Sequence, residues 1–180
     1  MNPIKTILVF GASGSGTTTL ARAIAQQFGF HHIDIDDIFW ERTDPPFTTP
    51  RPVEIRLALM NEILVSHDKN VISGAFTNWG NQFKPHIDLF IYMHLPVQIR
   101  LERIQKREEH RFGSRVRPGG DMYQQHLDFL EWVKTYETGD ESIRSMRQHH
   151  AWLQEVSAPI LRITEPQSIE ALVALVKTQF

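Results

Sequence analysis

Short apolar runs alternate with longer amphipathic segments along the whole chain. The first run, residues 4–10, is apolar apart from Lys5 and Thr6, which is typical of a strand buried on both faces of a parallel sheet. The next segment, residues 16–27, has the 3.6-residue apolar period of a helix. Five strands are predicted at residues 4–10, 31–35, 70–75, 87–95 and 159–163, and helices at residues 16–27, 53–66, 96–109, 121–136, 141–156 and 167–177. This alternation predicts an α/β fold with helices on both faces of a parallel sheet.

The size and composition of the chain indicate one globular domain, residues 1–180. The chain is 41% hydrophobic and 22% charged, which excludes disordered and fibrous classes. The absence of cysteine excludes disulfides and thiolate chemistry. No run approaches the roughly 18 apolar residues of a membrane span, and the first apolar run is too short for a secretion signal. We therefore expect a cytoplasmic protein without a membrane partner, and leave its oligomeric state open.

A glycine-rich stretch, GASGSGTTT at residues 11–19, lies between the first predicted strand and the first predicted helix. Its spacing matches the phosphate-binding loop G-x-x-x-x-G-K-[ST], whose backbone N–H groups surround phosphate oxygens at a helix N-terminus. A flexible turn is the alternative, but a turn needs neither a buried strand before it nor a helix after it. The predicted nucleotide-binding residues are Gly11, Ser13, Gly14, Ser15, Gly16, Thr17, Thr18 and Thr19.

One position departs from this pattern. Thr17 occupies the place of the lysine that contacts the β- and γ-phosphates, whereas Thr18 keeps the hydroxyl that would bind Mg²⁺. The substitution removes one positive charge but leaves the backbone cradle and the helix dipole intact. Nucleotide binding is therefore a firmer prediction than catalytic turnover.

Two aspartates follow the second predicted strand. Strand alternation puts Asp34 and Asp36 on one side, at the carboxyl end where ligands bind in open α/β sheets. They could orient a metal-bound water or hold an acceptor hydroxyl. The structural alternative is that Asp36 or Asp37 caps a helical turn at residues 38–41. The His-x-Asp-x-Asp spacing could also suggest a metal site, but one short strand gives poor chelating geometry.

Basic residues concentrate between Arg100 and Arg117, which contains seven of the 19 lysines and arginines. Glycines at residues 113 and 119–120 bracket a turn, as expected of a lid that closes on phosphates. We predict Arg107, Arg111 and Arg115 as its phosphate contacts, and they could replace the charge missing at Thr17. The alternative is a solvated helix face.

Two other segments carry simpler predictions. Residues 43–52 contain four prolines and are expected to form a stiff, extended connection that could act as a hinge. His149 and His150, near the end of the predicted helix at residues 141–156, are expected to be exposed rather than ligands.

Together, the phosphate loop, the Asp34-x-Asp36 pair, the late arginine-rich segment and the final strand and helix resemble the small nucleoside-monophosphate and shikimate-type kinases of the adenylate-kinase-like group. The resemblance covers nearly the whole chain. It implies a P-loop NTPase fold of three α/β/α layers, a five-stranded parallel sheet in the order 2-3-1-4-5, ATP and Mg²⁺ as donor and cofactor, an acceptor-binding segment at about residues 36–68 and a helical lid at about residues 107–121.

The resemblance also bears on single residues. The Asp34-x-Asp36 pair is similar to the acceptor-side Asp-x-Asp of shikimate-type kinases, and a threonine in the lysine place is found in some cytidylate kinases. Adenylate kinases have Asp-Gly after the third strand, where this chain has Ser73-Gly74. Asp34 or Asp36 would therefore have to assist Thr18 at the metal.

We accordingly expect an ATP-dependent phosphotransferase that acts on a small metabolite or nucleotide, with catalysis by positioning and charge neutralisation. Two alternatives come from other classes. A nucleotide-binding regulator without turnover is favoured by Thr17 and Ser73. A nucleic-acid-binding protein using the basic segment is less favoured because the net charge is −2 and Phe112 is the only aromatic residue in that segment.

Overall fold

Five parallel strands form the centre of the computed structural model, which describes residues 3–180. They lie in the order β2-β3-β1-β4-β5, and all four neighbouring pairs are parallel. The strands are β1 (Thr6–Gly11), β2 (His31–Asp34), β3 (Asn70–Ser73), β4 (Leu89–Met93) and β5 (Ile160–Ile163). The predicted α/β class and the sheet order implied by the family resemblance are both confirmed.

Seven α-helices connect or follow these strands in the described chain. They are α1 (Thr17–Phe28), α2 (Ile35–Phe39), α3 (Val53–Ser66), α4 (Val97–Phe112), α5 (Tyr123–Lys134), α6 (Met146–Gln154) and α7 (Ile169–Lys177). Short 3-10 helices lie at Asn81–His86 and Gly113–Val116. None of the helices within residues 3–180 has the length and apolar character that crossing a bilayer would require.

The alternating side chains of β1 divide the core into two layers. Leu8 and Phe10 pack on one face, in a cluster that includes Met60 of α3 and Trp152 of α6. The opposite face, where Ile7 and Val9 lie, packs against α1 and α7. Because β1 is buried on both faces, its sequence is a continuous apolar run and does not alternate between apolar and polar residues.

The main difference from the predicted elements lies after β2. The strand ends at Asp34, and α2 begins at Ile35, so Asp36 is in the first turn of a helix rather than on the strand. The Asp34 carboxylate accepts a hydrogen bond from the Asp36 N–H at 3.1 Å, which caps the helix. The residue that caps this helix is therefore Asp34, and not Asp36 or Asp37 as the alternative prediction had it.

Burial of His149 is a second correction. This side chain is fully buried, and its Nδ1 hydrogen-bonds the Tyr136 hydroxyl at 2.8 Å, whereas His150 is exposed as predicted. The helix that carries it begins at Met146 because Ser145 caps it through the Gln148 N–H. The expected start at residue 141 was wrong.

The organisation of residues 1–180 as one domain, with an acceptor segment and a lid, stays a prediction. Within the described residues the acceptor segment contains α2 and α3, and the lid contains the end of α4 and the 3-10 helix Gly113–Val116.

Candidate functional site

The glycine-rich stretch forms a tight loop between the end of β1 and the start of α1. Gly11 lies so close to β4 that a Cβ there would be 1.9 Å from the carbonyl oxygen of Met93. Gly16, the N-cap of α1, has φ 99°, a left-handed conformation that favours glycine. These two positions explain the glycine spacing of the loop in terms of backbone geometry.

Several backbone N–H groups of this loop have no acceptor within residues 3–180. The N–H of Ser15 bonds the Ala12 carbonyl at 3.1 Å, and α1 has no side-chain cap. The first helical hydrogen bond comes from Leu20 to Gly16. The free donors belong to Gly14, Gly16, Thr17, Thr18 and Thr19, and such donors at a helix N-terminus favour a bound anion.

Arg100 of α4 supports the loop from behind. Its side chain is fully buried, and it donates hydrogen bonds to the carbonyl oxygens of Leu95 at 2.9 Å and Ser13 at 3.2 Å. The Ser15 hydroxyl, also buried, accepts from the Leu95 N–H at 3.2 Å. Ser13 and Ser15 are thus fixed to the β4–α4 junction, so the loop is held in one conformation.

The two predicted aspartates differ in environment. Asp34 is partly buried and caps α2, and burial together with the neighbouring charge of Asp36 raises the pKa of its carboxyl group. Asp36 is exposed and lines a cleft of about 210 Å³. The other lining residues are Asp37, Trp40, Glu41, Arg42, Thr43, Pro46 and Phe47. Asp36 is therefore the more accessible of the two to a ligand.

Ser73, which takes the place of the carboxylate found in adenylate kinases, has a different role here. It is fully buried, and its hydroxyl hydrogen-bonds His32 Nε2 at 2.9 Å. Ser73 pairs with Asp34 in the sheet register, so the ends of β2 and β3 meet at one edge. Asp34 therefore provides a carboxylate at that edge.

Most of the arginines in the basic segment are paired with carboxylates. Arg107 pairs with Glu108 at 3.0 Å, and Arg117 pairs with Glu109 at 2.5 Å. Arg115 pairs with both Asp121 and Asp44 at 2.6 Å. Arg111 has no ion pair with a described carboxylate and lies 5.7 Å from the rings of Phe47 and Phe112. Of the three predicted phosphate contacts, only Arg111 keeps an uncompensated charge in this conformation.

Besides Arg100, two further arginines that the sequence did not mark as site residues contact the loop directly. Arg103 Nη1 donates to the Ser15 carbonyl at 3.3 Å, and Arg144 Nη2 donates to the Gly11 carbonyl at 3.0 Å. Arg103 lies in the basic run and three residues from Arg100, so helical periodicity places both on one face. Nothing in the sequence around Arg144 marks it, because it is 133 residues from its partner.

Aromatic rings of α2 and of the loop after β3 lie close to Arg56 of α3. The Arg56 guanidinium lies 4.0 Å from the Phe39 ring and 5.8 Å from the Trp79 ring. Arg51 Nη1 donates to the Asp37 and Ile38 carbonyls at 2.6 and 2.9 Å, which fixes the end of α2.

The loop after β3 is also held from the side of α6. Buried Gln148 accepts from the Thr77 hydroxyl at 3.0 Å and donates to the Asn78 side chain at 2.9 Å. Trp152 Nε1 donates to the Asn81 side chain at 2.7 Å. The side-chain oxygens of Asn78 and Asn81 therefore position this loop.

A phosphate-binding loop between a parallel strand and a helix, with carboxylates after the second strand of the same sheet, defines a P-loop protein of the kinase-like α/β type. Residues 7–117 match the family model described as AAA domain, and the chain belongs to that family. It is also 36% identical to "Uncharacterized protein YqaC" of Bacillus subtilis (strain 168), over 92% of this chain and 91% of that protein.

More distant relatives include kinases. The chain is 31% identical to a cytidylate kinase of Pyrococcus furiosus, in a match that covers 57% of each protein. The chain thus spans little more than half the length of that kinase.

Solved structures show the same fold. A shikimate kinase from Acinetobacter baumannii, in complex with shikimate, aligns with a TM-score of 0.56 and 17% identity over 98% of this chain and 92% of that one. A gluconokinase from Sinorhizobium meliloti aligns with a TM-score of 0.53 and 19% identity over 94% and 87%. At these identities the comparison establishes the P-loop kinase fold.

Proposed function

We propose that this protein is an ATP-dependent phosphotransferase that acts on a small metabolite or nucleotide. The observation that carries the proposal is the arrangement at the carboxyl edge of the sheet. Free N–H groups of residues 14 and 16–19 lie at the start of α1, and Asp36 follows β2 at the same edge. A donor site and an acceptor site at one edge are what phosphoryl transfer needs.

The residues of the loop fit a polyphosphate. A Cβ at Gly16 would have only Arg103 Nη1 within 4 Å, at 3.6 Å, so the space above the helix N-terminus is open. The N–H groups of residues 14 and 16–19 would bind phosphate oxygens, and their fixed orientation avoids reorganisation when charge develops. The proposed cofactor is therefore ATP.

Mg²⁺ is the proposed metal. The Thr18 hydroxyl and the Asp34 carboxylate are oxygen ligands of the kind this ion prefers. Within residues 3–180, no group of three or more His, Asp or Glu side chains forms a metal site by itself, which fits an ion held mainly by substrate phosphates and water. When bound, Mg²⁺ neutralises charge on the transferring phosphates.

Asp36 is proposed as the residue that orients the acceptor. Its exposed carboxylate at the cleft would accept a hydrogen bond from an acceptor hydroxyl and direct that oxygen toward the loop. The acceptor would be a hydroxyl- or phosphate-bearing small molecule held within about residues 36–68. The cytidylate kinases, shikimate kinase and gluconokinase that resemble this chain support the class of reaction without naming its acceptor.

The competing proposal is a nucleotide-binding regulator without turnover. Thr17 supports it, because the loop lacks the cation that usually stabilises the transferring group. Both proposals require nucleotide binding, so they differ only in whether an acceptor stimulates ADP formation.

Steady-state ADP production with a panel of nucleoside monophosphates, sugar acids and hydroxy acids separates the two. We expect one acceptor class to stimulate ADP release and Asp36→Asn to lower kcat/KM by about 100-fold or more. Glu170→Gln, at an exposed residue of α7, is the control and should keep full activity. Tight ATP binding with no stimulation by any acceptor would instead support the regulator.

A further inference from the structure

The loop lacks its own cation. Thr17 cannot carry a positive charge, yet phosphoryl transfer places developing negative charge at this loop. The predicted replacements are mostly engaged elsewhere, since Arg107 and Arg115 each pair with a carboxylate. An arginine that already neutralises a carboxylate is a weak source of charge for a phosphate.

Arg144 is differently placed. Its Nη2 donates to the carbonyl oxygen of Gly11, the first residue of the loop, at 3.0 Å. Its guanidinium forms no ion pair with a carboxylate among residues 3–180, and its buried Nε has no hydrogen-bond acceptor there. A buried donor without a partner is uncommon and indicates that a ligand or water oxygen completes it.

The backbone around Arg144 is held firmly. Ser145 caps α6 by accepting from the Gln148 N–H at 3.1 Å, and its own hydroxyl donates to the Asp140 carbonyl. Gln148 in turn donates to the Glu141 carbonyl at 3.0 Å. These hydrogen bonds fix the backbone on which the Arg144 side chain is carried. The Arg144 guanidinium lies 5.8 Å from the Trp132 ring. Such preorganisation lowers the entropy lost when it binds an anion.

Arg144 also lies between the two halves of the candidate site. It contacts Gly11 on the donor side. Burial lowers the pKa of the Arg144 guanidinium, and the negative charge of Asp36 on the acceptor side partly offsets that shift. Arg103, which also contacts the loop, is exposed and more strongly screened by solvent. Arg100 is paired with Glu137. A less hydrated guanidinium interacts more strongly with a phosphate.

We propose that Arg144 supplies the positive charge that Thr17 cannot, and that it contacts the donor phosphates from the α5–α6 turn. This inference rests on the proposed function, because it assumes that the loop binds a nucleoside triphosphate. The cation of the site then comes from the last third of the chain instead of from the loop.

The test is charge exchange between positions 144 and 17, measured by calorimetric binding of Mg–ATP. Arg144→Met should weaken binding by about 10- to 100-fold, as expected for a lost charged hydrogen bond. Adding Thr17→Lys to Arg144→Met should restore most of that loss, because the lysine returns a charge to the phosphates. Arg147→Met is the control, because Arg147 is an exposed residue of α6. This variant should bind Mg–ATP as tightly as the wild type does.

Each outcome decides the proposal. Equal binding by Arg144→Met and wild type overturns it, and so does a folded double variant that recovers nothing. No Mg–ATP binding by the wild type would overturn the proposed function as well, so the two failures are distinguishable. If Arg144→Met does not fold, Arg144→Lys and Arg144→Gln replace it. Binding retained by the first and lost by the second supports the proposal, and equal binding by both contradicts it.

Discussion

At the scale of single residues, a buried cation supports the phosphate loop. Arg100 has no exposed surface and is neutralised by Glu137, which also accepts a hydrogen bond from His94 at 2.9 Å. Burial raises the pKa of Glu137, but the His94 hydrogen bond and the Arg100 charge outweigh it, and the net pKa is below its usual value. The carboxylate form is therefore the one that the fold stabilises.

Replacing Glu137 with Gln should destabilise the protein by about 1.5–3 kcal/mol, because the buried guanidinium loses a charged partner. The lower end is expected, since the Glu137 side chain is 29% exposed. Urea denaturation measures the free energy of unfolding. Glu131→Gln is the control, because its pair with Lys134 is at the surface and should cost about 0.5 kcal/mol or less. Equal losses in the two variants would contradict the supporting role of Arg100.

His149 links acidity to stability. Burial, followed by the charges of Arg144 and His150, lowers the pKa of His149 well below its ordinary value of 6.5. The native state therefore resists protonation, whereas the unfolded chain binds a proton near pH 6.5. The contribution of neutral His149 is fully present above that pH and is lost as the pH falls below it.

His149→Gln should flatten this dependence between pH 6.5 and 5. The slope of unfolding free energy against pH should fall by up to about 1.4 kcal/mol per pH unit relative to wild type. Tyr136→Phe removes the hydrogen bond to His149 but keeps the imidazole, so it should retain the steeper slope. Urea titrations at several pH values check this, and identical slopes for His149→Gln and wild type would refute it.

At the scale of elements, the two glycines that cap α1 allow an effect on nucleotide binding to be distinguished from an effect on stability. Gly16 and Gly29 both have positive φ, at 99° and 71°, and they cap the two ends of α1. A Cβ at Gly29 would meet nothing within 4 Å, and a Cβ at Gly16 would meet only Arg103. The two positions are therefore matched for backbone strain and differ in their relation to the phosphate site.

Changing either glycine to Ala should lower stability by about 1–2 kcal/mol, the cost of left-handed backbone for an L-residue. Only Gly16→Ala should also weaken Mg–ATP binding, since it disturbs the orientation of the free N–H groups. Thermal unfolding and calorimetry measure the two effects. If Gly29→Ala weakens nucleotide binding as much as Gly16→Ala does, the loop does not have the proposed role.

At the scale of the whole molecule, the predicted lid touches the predicted acceptor segment. Arg115 pairs with Asp44 at 2.6 Å, and Gln125 Nε2 donates to the Pro46 carbonyl at 2.8 Å. Arg111 lies near the Phe47 ring. These contacts join the α4–α5 region to the proline-rich connection.

Asp44→Asn should loosen this contact without lowering global stability, since the Asp44 side chain is 80% exposed. We expect faster amide hydrogen exchange at residues 43–49 and at the 3-10 helix Gly113–Val116. Glu109→Gln is the control, because it breaks an ion pair between α4 and Arg117 and leaves Asp44 intact. Similar exchange in both variants would show that the Asp44 contact does not join the two segments.

The sequence by itself determined the features that depend on neighbours along the chain. The apolar periods marked all five strands, the bounds of α3 were predicted as observed, and the glycine spacing located the loop before α1. Such features follow from backbone sterics and from burial of one face, which are encoded within a few turns or one strand.

Only the tertiary structure decided how distant groups meet. Asp34 caps α2 because this helix begins directly after β2. Arg115 pairs with Asp44, which is 71 residues away along the chain. Burial of His149 and the contact of Arg144 with Gly11 depend on how α6 packs against β1. Local periodicity carries no information about these pairings, because packing and charge compensation act between side chains that are adjacent only after the sheet and its helices assemble.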